Sequence, residues 1–278
     1  METEHDILEL CDTLNVSRSG YHAWKGRAPC ARAQANAALL PFIEQAWEQS
    51  RQTYGSPRVR EWLRQRGHPC GRHRVARLMR GQGLRSRSKR RFRVSLTDSN
   101  HDLPIAPNRL RDVALPSHRD AVWVADITYV DTDEGFLFVA GVLDRCTRRC
   151  IGWAMEATLA TTLPLAALDM ALTQRRPPSG LVHHSDRGVQ YASQAYRQRL
   201  AQAGVVPSMS RKGNCYDNAA MESFWSSLKR ELIHRCQFAT HAQARAAIFE
   251  WIEVFYNRER LHSALGFKSP VDFETNLN

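Results

Sequence analysis

The run AVWVADITYV, residues 121–130, decides how this chain folds. Its β-branched and aromatic residues predict a strand. Strand alternation then puts Val122, Val124, Asp126, Thr128 and Val130 on one face. Asp126 is therefore a mid-strand carboxylate among apolar neighbours, a costly arrangement unless the group is paired, hydrogen-bonded or bound to a metal. Working outward, residues 131–135 are turn chemistry and 136–143 a second strand, so the two form a hairpin. Residues 150–157 predict a third strand, 162–175 a helix, 181–184 a fourth strand, 193–203 a helix and 205–209 a fifth strand. A helix over 217–230 and an amphipathic helix over 241–256, striped by Ile248, Trp251, Ile252 and Phe255, complete an α/β domain.

Two further acids stand out. Asp186 ends the apolar run LVHHSD, residues 181–186, where open sheets present ligand-binding side chains. Glu222 lies in NCYDNAAMESFWSSLKREL, residues 214–232, whose helical stripe is Met221, Phe224, Leu228 and Leu232. Asn218, Glu222, Trp225 and Lys229 form an adjoining face, since residues three or four apart are neighbours on a helix. The stripe anchors the helix while Glu222 points towards the sheet, with Asn218 in support and Lys229 placed to meet a phosphate. A carboxylate cluster of this kind suits a hard cation such as Mg²⁺. The remaining acids have plainer readings: Asp131, Asp133 and Glu134 in a turn, Asp144 at a strand end, Asp217 as a helix cap. His183 reads as structural, and His184 as a support that orients Asp186 or a phosphate.

The blocks HHSDRGVQYAS (183–193), NCYDNAAMESFWSSLKREL and YNRERLHSALGFKSP (256–270), with 35 residues between Asp186 and Glu222, resemble the signature of insertion-sequence transposases of the IS3 family. More narrowly they resemble that family's second reading-frame product, which carries a retroviral-integrase-like catalytic core. The resemblance implies a ribonuclease H-like core preceded by a mostly helical helix-turn-helix region. It implies that Asp126, Asp186 and Glu222 hold Mg²⁺, with Mn²⁺ as a substitute and two ions in the site. It also implies that DNA is cut by water and joined by a 3′-hydroxyl. Arg187, Gln190, Tyr191 and Lys212 match family positions near the site and are expected to touch DNA. Tyr256, Asn257, Arg260 and His262 either pack the last helix or touch DNA. The implied partners are element ends, target DNA, an upstream-frame protein or its frameshift fusion, and further copies of the chain on DNA. Two rival readings are a nuclease of the same fold without joining activity, and a DNA-binding regulator with a decayed core.

Charge supports a polyanion partner. The first hundred residues hold 19 Lys and Arg against 9 Asp and Glu, and from Arg51 to Arg93 there are 15 basic residues with Glu61 the single acid. Residues 6–24 predict two short helices with a turn near Asn15, and 32–51 a long amphipathic helix striped by Leu39, Phe42, Ile43, Ala46 and Trp47. Ser56 and Pro57 read as the N-cap and first position of a helix that stops near Gly67. A second helix, 72–80, buries Val75, Leu78 and Met79 and leaves Arg72, Arg74, Arg77 and Arg80 outward. This is a helix-turn-helix candidate, with Arg58, Arg72, Arg74 and Arg77 its expected DNA contacts. The basic run and proline-containing stretch that follow read as a linker. The expected division is 1–52, a helical region; 53–93, the basic DNA-binding region; 94–118, the linker; and 119–276, the catalytic core.

Seven cysteines without a CxxC pair favour reduced structural thiols. The acidic start METEHDILEL has no signal-peptide character, and the longest apolar run is too short to span a bilayer. The expectation is a cytoplasmic protein, nucleoid-associated when bound to DNA.

Overall fold

A computed structural model describes residues 6–86, 103–110, 116–210 and 218–277. The chain divides into two compact units, Met1–Gln49 with Tyr54–Arg85 and Ser50–Thr53 with Ser86–Asn278.

The first unit is helical: α1 (Ile7–Thr13), α2 (Arg18–Lys25), α3 (Ala31–Gln49), α4 (Ser56–Gln65) and α5 (Arg72–Gly81). Asp6 and Ser17 cap α1 and α2 by accepting from backbone N–H groups, and Asn15 between them takes a left-handed turn at φ 51°. Leu39, Ile43 and Ala46 of α3 are buried, as are Val59, Trp62 and Leu63 of α4 and Val75 and Met79 of α5. The cap of α4 falls one residue earlier than expected. Gly55 is the N-cap and Ser56 opens the helix, with Pro57 still in the first turn where its missing N–H is harmless. Gly67, at φ 82°, ends the turn after α4 as its position predicts.

The second unit is built on a five-stranded sheet: β1 (Val122–Thr132), β2 (Gly135–Asp144), β3 (Cys150–Glu156), β4 (Val182–Ser185) and β5 (Val206–Met209). The order across the sheet is β3-β2-β1-β4-β5. β1 pairs antiparallel with β2, and β2 with β3, while β4 runs parallel to β1 and β5 to β4. The β1–β2 hairpin is tighter than predicted, because Thr132 faces Gly135 in the ladder and its Oγ1 donates to the Gly135 carbonyl at 2.7 Å. Helices α6 (Thr162–Arg175), α7 (Val189–Ala192, one turn) and α8 (Gln194–Gln202) follow β3 and β4. After β5 come α9 (Ala219–Glu231), α10 (His241–Glu250) and α11 (Pro270–Thr275).

Alternation along β1 splits the core into two layers. Val122, Val124 and Val130 face α9 and α10, against Met221, Phe224, Leu228 and Ile248. Trp123 and Ala125 face α6 and α8, against Leu163, Ala167, Leu168 and Tyr196. The sheet is thus buried on both sides, and Asp126 falls on the α9 side. The last amphipathic helix departs from its expected form. After Glu250 it widens into a π-helical segment, Trp251–Glu259. That wider turn buries Trp251, Phe255 and Tyr256 together around Phe224.

The proline-containing stretch read as a linker is seated on the sheet over its described part. The Arg109 N–H donates to Ser208 Oγ on β5 at 2.9 Å, and Leu110 is buried.

Candidate active site

Asp126 sits in the middle of β1, opposite Gly141 of β2. Its side chain is half-buried, and its Oδ1 accepts from the Ile127 N–H at 2.9 Å. Asp186 directly follows β4, the strand hydrogen-bonded alongside β1. There its Oδ1 accepts from the Gly188 N–H at 2.9 Å. A Cβ at residue 188 would stand 3.0 Å from that same oxygen, so glycine permits the close approach. Glu222 is in the first turn of α9, half-buried, where the helix N-terminus favours a negative charge. Asn218, buried at the N-cap, ties this helix end to β1 by donating from Nδ2 to the Ala125 carbonyl at 3.2 Å.

Three segments far apart in sequence thereby bring their carboxylates into one electrostatic field. The Asp126 carboxyl is pushed well above the usual carboxylate range, first by burial, then by Asp186 and Glu222, against the opposing Ile127 N–H. Such a set is short of positive charge and consists of hard oxygen donors, so its chemistry fits a divalent cation. Among the described residues no three His, Cys, Asp or Glu side chains stand together in a group that could by itself hold a metal ion. Mg²⁺ needs few protein ligands, because it keeps water and takes substrate phosphate oxygens as further ligands.

Other expected site residues have structural partners. Nδ1 of His184, buried on β4, shares a 2.9 Å hydrogen bond with Ser208 of β5, so its support runs through the sheet. His183 meets the Tyr196 hydroxyl at 3.1 Å, and burial followed by His184 lowers its pKa to about 3. Tyr191, matched by resemblance to a DNA contact, is only 2% exposed, packs edge-on against Tyr196 and belongs to the core layer of α6 and α8. Gln190 donates to the Leu159 carbonyl at 3.3 Å. Arg187 is half-buried and donates from Nε to the Ser210 carbonyl at 2.6 Å. Lys229 places its Nζ 4.6 Å from the centre of the Tyr129 ring. Lys212 and Asp217 lie outside the described residues. Asp144 is fully buried and accepts from the N–H groups of Asp120, Cys146 and Thr147, a strand-end role. The third block packs the last helix. Asn257 bonds both backbone groups of Cys150, Tyr256 donates to the Arg148 carbonyl, and buried Arg260 pairs with Glu231 and meets His262.

Trp225, expected on the face that adjoins the packing stripe with Glu222, is 6% exposed and part of the α9 core. Glycine at 141 is what admits it, and a lone glycine in an apolar strand is the only local signal of that.

On α5, Arg72 and Arg77 are exposed, whereas Arg74 is half-buried and donates to Asn36 of α3 at 2.8 Å. Arg58 is half-buried, 5.5 Å from the Tyr54 ring centre. Among the described residues no helix is long and apolar enough to cross a membrane.

A mixed sheet carrying this acidic set, preceded in sequence by a basic helical unit, defines an integrase-core DNA transposase, and the comparisons with known proteins agree. Residues 116–215 and 203–270 match the integrase core domain, and residues 33–92 match an HTH-like domain. The chain belongs to the IS3 family of insertion-sequence transposases. It is 40% identical over 275 residues to the transposase InsF for insertion sequence IS3A of Escherichia coli K12, covering 98% of this chain and 95% of that one. It is 47% identical over 264 residues to the insertion element IS600 uncharacterized 31 kDa protein of Shigella sonnei, covering 95% and 97%. A simian T-cell lymphotropic virus intasome structure aligns at a TM-score of 0.48 and 15% identity over 82% of this chain and 73% of that one, too distant to add to the argument. The chain is a DNA-binding enzyme of the DDE transposase class, whose integrase core depends on divalent metal.

Proposed function

We propose that Asp126, Asp186 and Glu222 are the carboxylates with which this transposase cuts and joins DNA. The observation that carries the reading is the placement of one carboxylate mid-strand on β1, a second directly after β4 alongside it, and a third in the first turn of α9, whose N-cap Asn218 is tied to β1. In this reading the three side chains hold Mg²⁺, or Mn²⁺ in its place, as two ions. Bound there, the ions supply Lewis acidity to the attacking and the leaving oxygen of an in-line displacement. The chain itself supplies position. The Ile127 N–H fixes Asp126, the Gly188 N–H fixes Asp186, and the tie from Asn218 to Ala125 sets α9 so that Glu222 faces the strand. Water attacks in cutting and a DNA 3′-hydroxyl in joining, so no side chain acts as a covalent nucleophile.

Arg72 and Arg77 are the leading candidates for duplex contacts on α5, with Arg58, Arg74 and Arg187 behind them because each already has a partner within the fold. Lys229 is assigned to phosphate beside the metal, and Lys212 to DNA by family position alone. The functional division is proposed at 1–52, 53–93, 94–118 and 119–276. Element ends, target DNA, an upstream-frame protein or fusion, and other copies of the chain are the proposed partners.

The test uses the full chain with a duplex bearing the element's terminal repeats and MgCl₂. Asp126→Asn, Asp186→Asn and Glu222→Gln each reduce cutting and joining to background while melting temperature and duplex affinity stay close to wild type. A triple variant that still joined strands would sink the assignment.

A further inference from the structure

The buried side chain beside the acidic set to which family resemblance gives no role is Trp225. It lies on α9, three residues after Glu222, and is almost fully buried. Its indole crosses the β1–β2 ladder at one particular rung. A Cβ on Gly141 would stand 3.0 Å from Cη2 and 3.1 Å from Cζ2 of the ring, tighter than nine in ten real contacts, so a side chain there would press the ring out of its place by a few tenths of an ångström. Cζ2 is bonded to the ring carbon that carries Nε1, so the N–H edge of the indole is turned to this rung. The residue opposite Gly141 is Asp126. Directly opposed Cβ positions stand about 5 Å apart, within reach of a large aromatic side chain.

The N–H is buried and makes no hydrogen bond to the described residues. A buried donor left without an acceptor is costly and calls for an explanation. Asp126 has acceptor capacity to spare: a carboxylate offers about four lone-pair sites, and the Ile127 N–H engages Oδ1. The Trp225 N–H lies near enough to the Asp126 carboxyl to act on it, short of full hydrogen-bond geometry.

We propose that Trp225 is a positioning residue whose indole N–H donates to the Asp126 carboxylate and turns its remaining lone pairs towards a divalent cation. The contact closes when the cation compensates the crowded negative charge, as hydrogen bonds around a reacting centre tighten on loading. This inference rests on Asp126 being a metal ligand.

The full chain has seven tryptophans, hence seven indole N–H signals in a ¹H–¹⁵N spectrum, and Trp225→Phe identifies the one that belongs to residue 225. On titration with MgCl₂ that signal moves downfield in the wild type and stays still in Asp126→Asn. In the cutting assay, Trp225→Phe raises the Mg²⁺ concentration for half-maximal rate about tenfold to a hundredfold, the range for losing a group that orients a metal ligand. Duplex affinity and the rate at saturating Mg²⁺ change little. If Trp225→Phe folds poorly, Trp225→Tyr supplies the assignment and the midpoint. A stationary signal and an unchanged midpoint, with Asp126→Asn inactive, overturn the proposal alone and leave Trp225 as packing. An active Asp126→Asn overturns the metal-ligand reading and this inference with it.

Discussion

Glu274, near the end of the chain, illustrates how much one side chain holds. It is buried on α11 and paired with Arg175 at the end of α6, with Arg149 and Arg119 also within ion-pair range. Burial pushes its carboxyl up, but the Arg175 hydrogen bond and charge, followed by Arg149, outweigh that and hold it below its ordinary 4.5. A carboxylate depressed in the folded state contributes stability that is fully present above its unfolded pKa and is lost as pH falls through the folded value. Melting temperature should therefore drop as pH falls below about 4.5, and Glu274→Gln should flatten that drop. Glu274→Ala leaves Arg175 buried beside a lost partner and should cost about 3 kcal/mol at neutral pH. A urea midpoint indistinguishable from wild type would show that Asp120, 3.6 Å from Arg175, suffices alone. No local pattern announces this network. Its arginines lie 99 to 155 residues before Glu274, and each in isolation reads as a solvated charge.

At the scale of elements, α6 lies close on β3 in the catalytic unit. A Cβ on Gly152 would meet the Ala167 carbonyl oxygen at 2.2 Å and the Ala171 Cβ at 2.9 Å, and a backbone atom cannot swing aside. Gly152→Ala should then destabilise by about 1–3 kcal/mol, the cost of overpacking a filled core. Chemical denaturation reads it, and a loss below 0.5 kcal/mol (about the noise of a surface change) would mean that α6 slides without penalty. The strands and α6 were legible in the sequence because period-two alternation and turn residues are local signals, and each strand edge fell within two residues of its expected place. The mid-strand place of Asp126 was legible for a related reason, since a carboxylate inside an apolar strand contradicts its surroundings. What stayed hidden depends on neighbours distant in sequence. Trp225 lies beside the packing stripe of its own helix, and only Gly141 shows the slot it fills, while the widened helix after Glu250 answers to aromatic packing with Phe224. Arg74 likewise reads as outward until α3 brings Asn36 beside it.

The molecule as a whole separates electrostatic and chemical work. The first hundred residues carry a net charge of +10 and the rest +1, so the attraction for duplex is concentrated before the catalytic sheet begins. Binding of that kind is driven by counterion release, and each phosphate contact contributes about 0.9 to the slope of log affinity against log salt. On α5 the exposed arginines are Arg72, Arg77 and Arg80, whereas Arg74 is engaged by Asn36. Replacing Arg72 and Arg77 together by alanine should lower the slope by about 1.8, two contacts at that rate. Adding Arg74→Ala should change it little further, while costing some stability through the lost tie to α3. Cutting of a duplex held at saturating concentration should persist in the double variant, since neither arginine belongs to the acidic set. Duplex titrations at a series of KCl concentrations decide the matter. A slope unchanged in the double variant would return α5 to the status of a solvated face, and the search for the duplex-binding surface would pass to Arg58, Arg60 and Arg64 on α4.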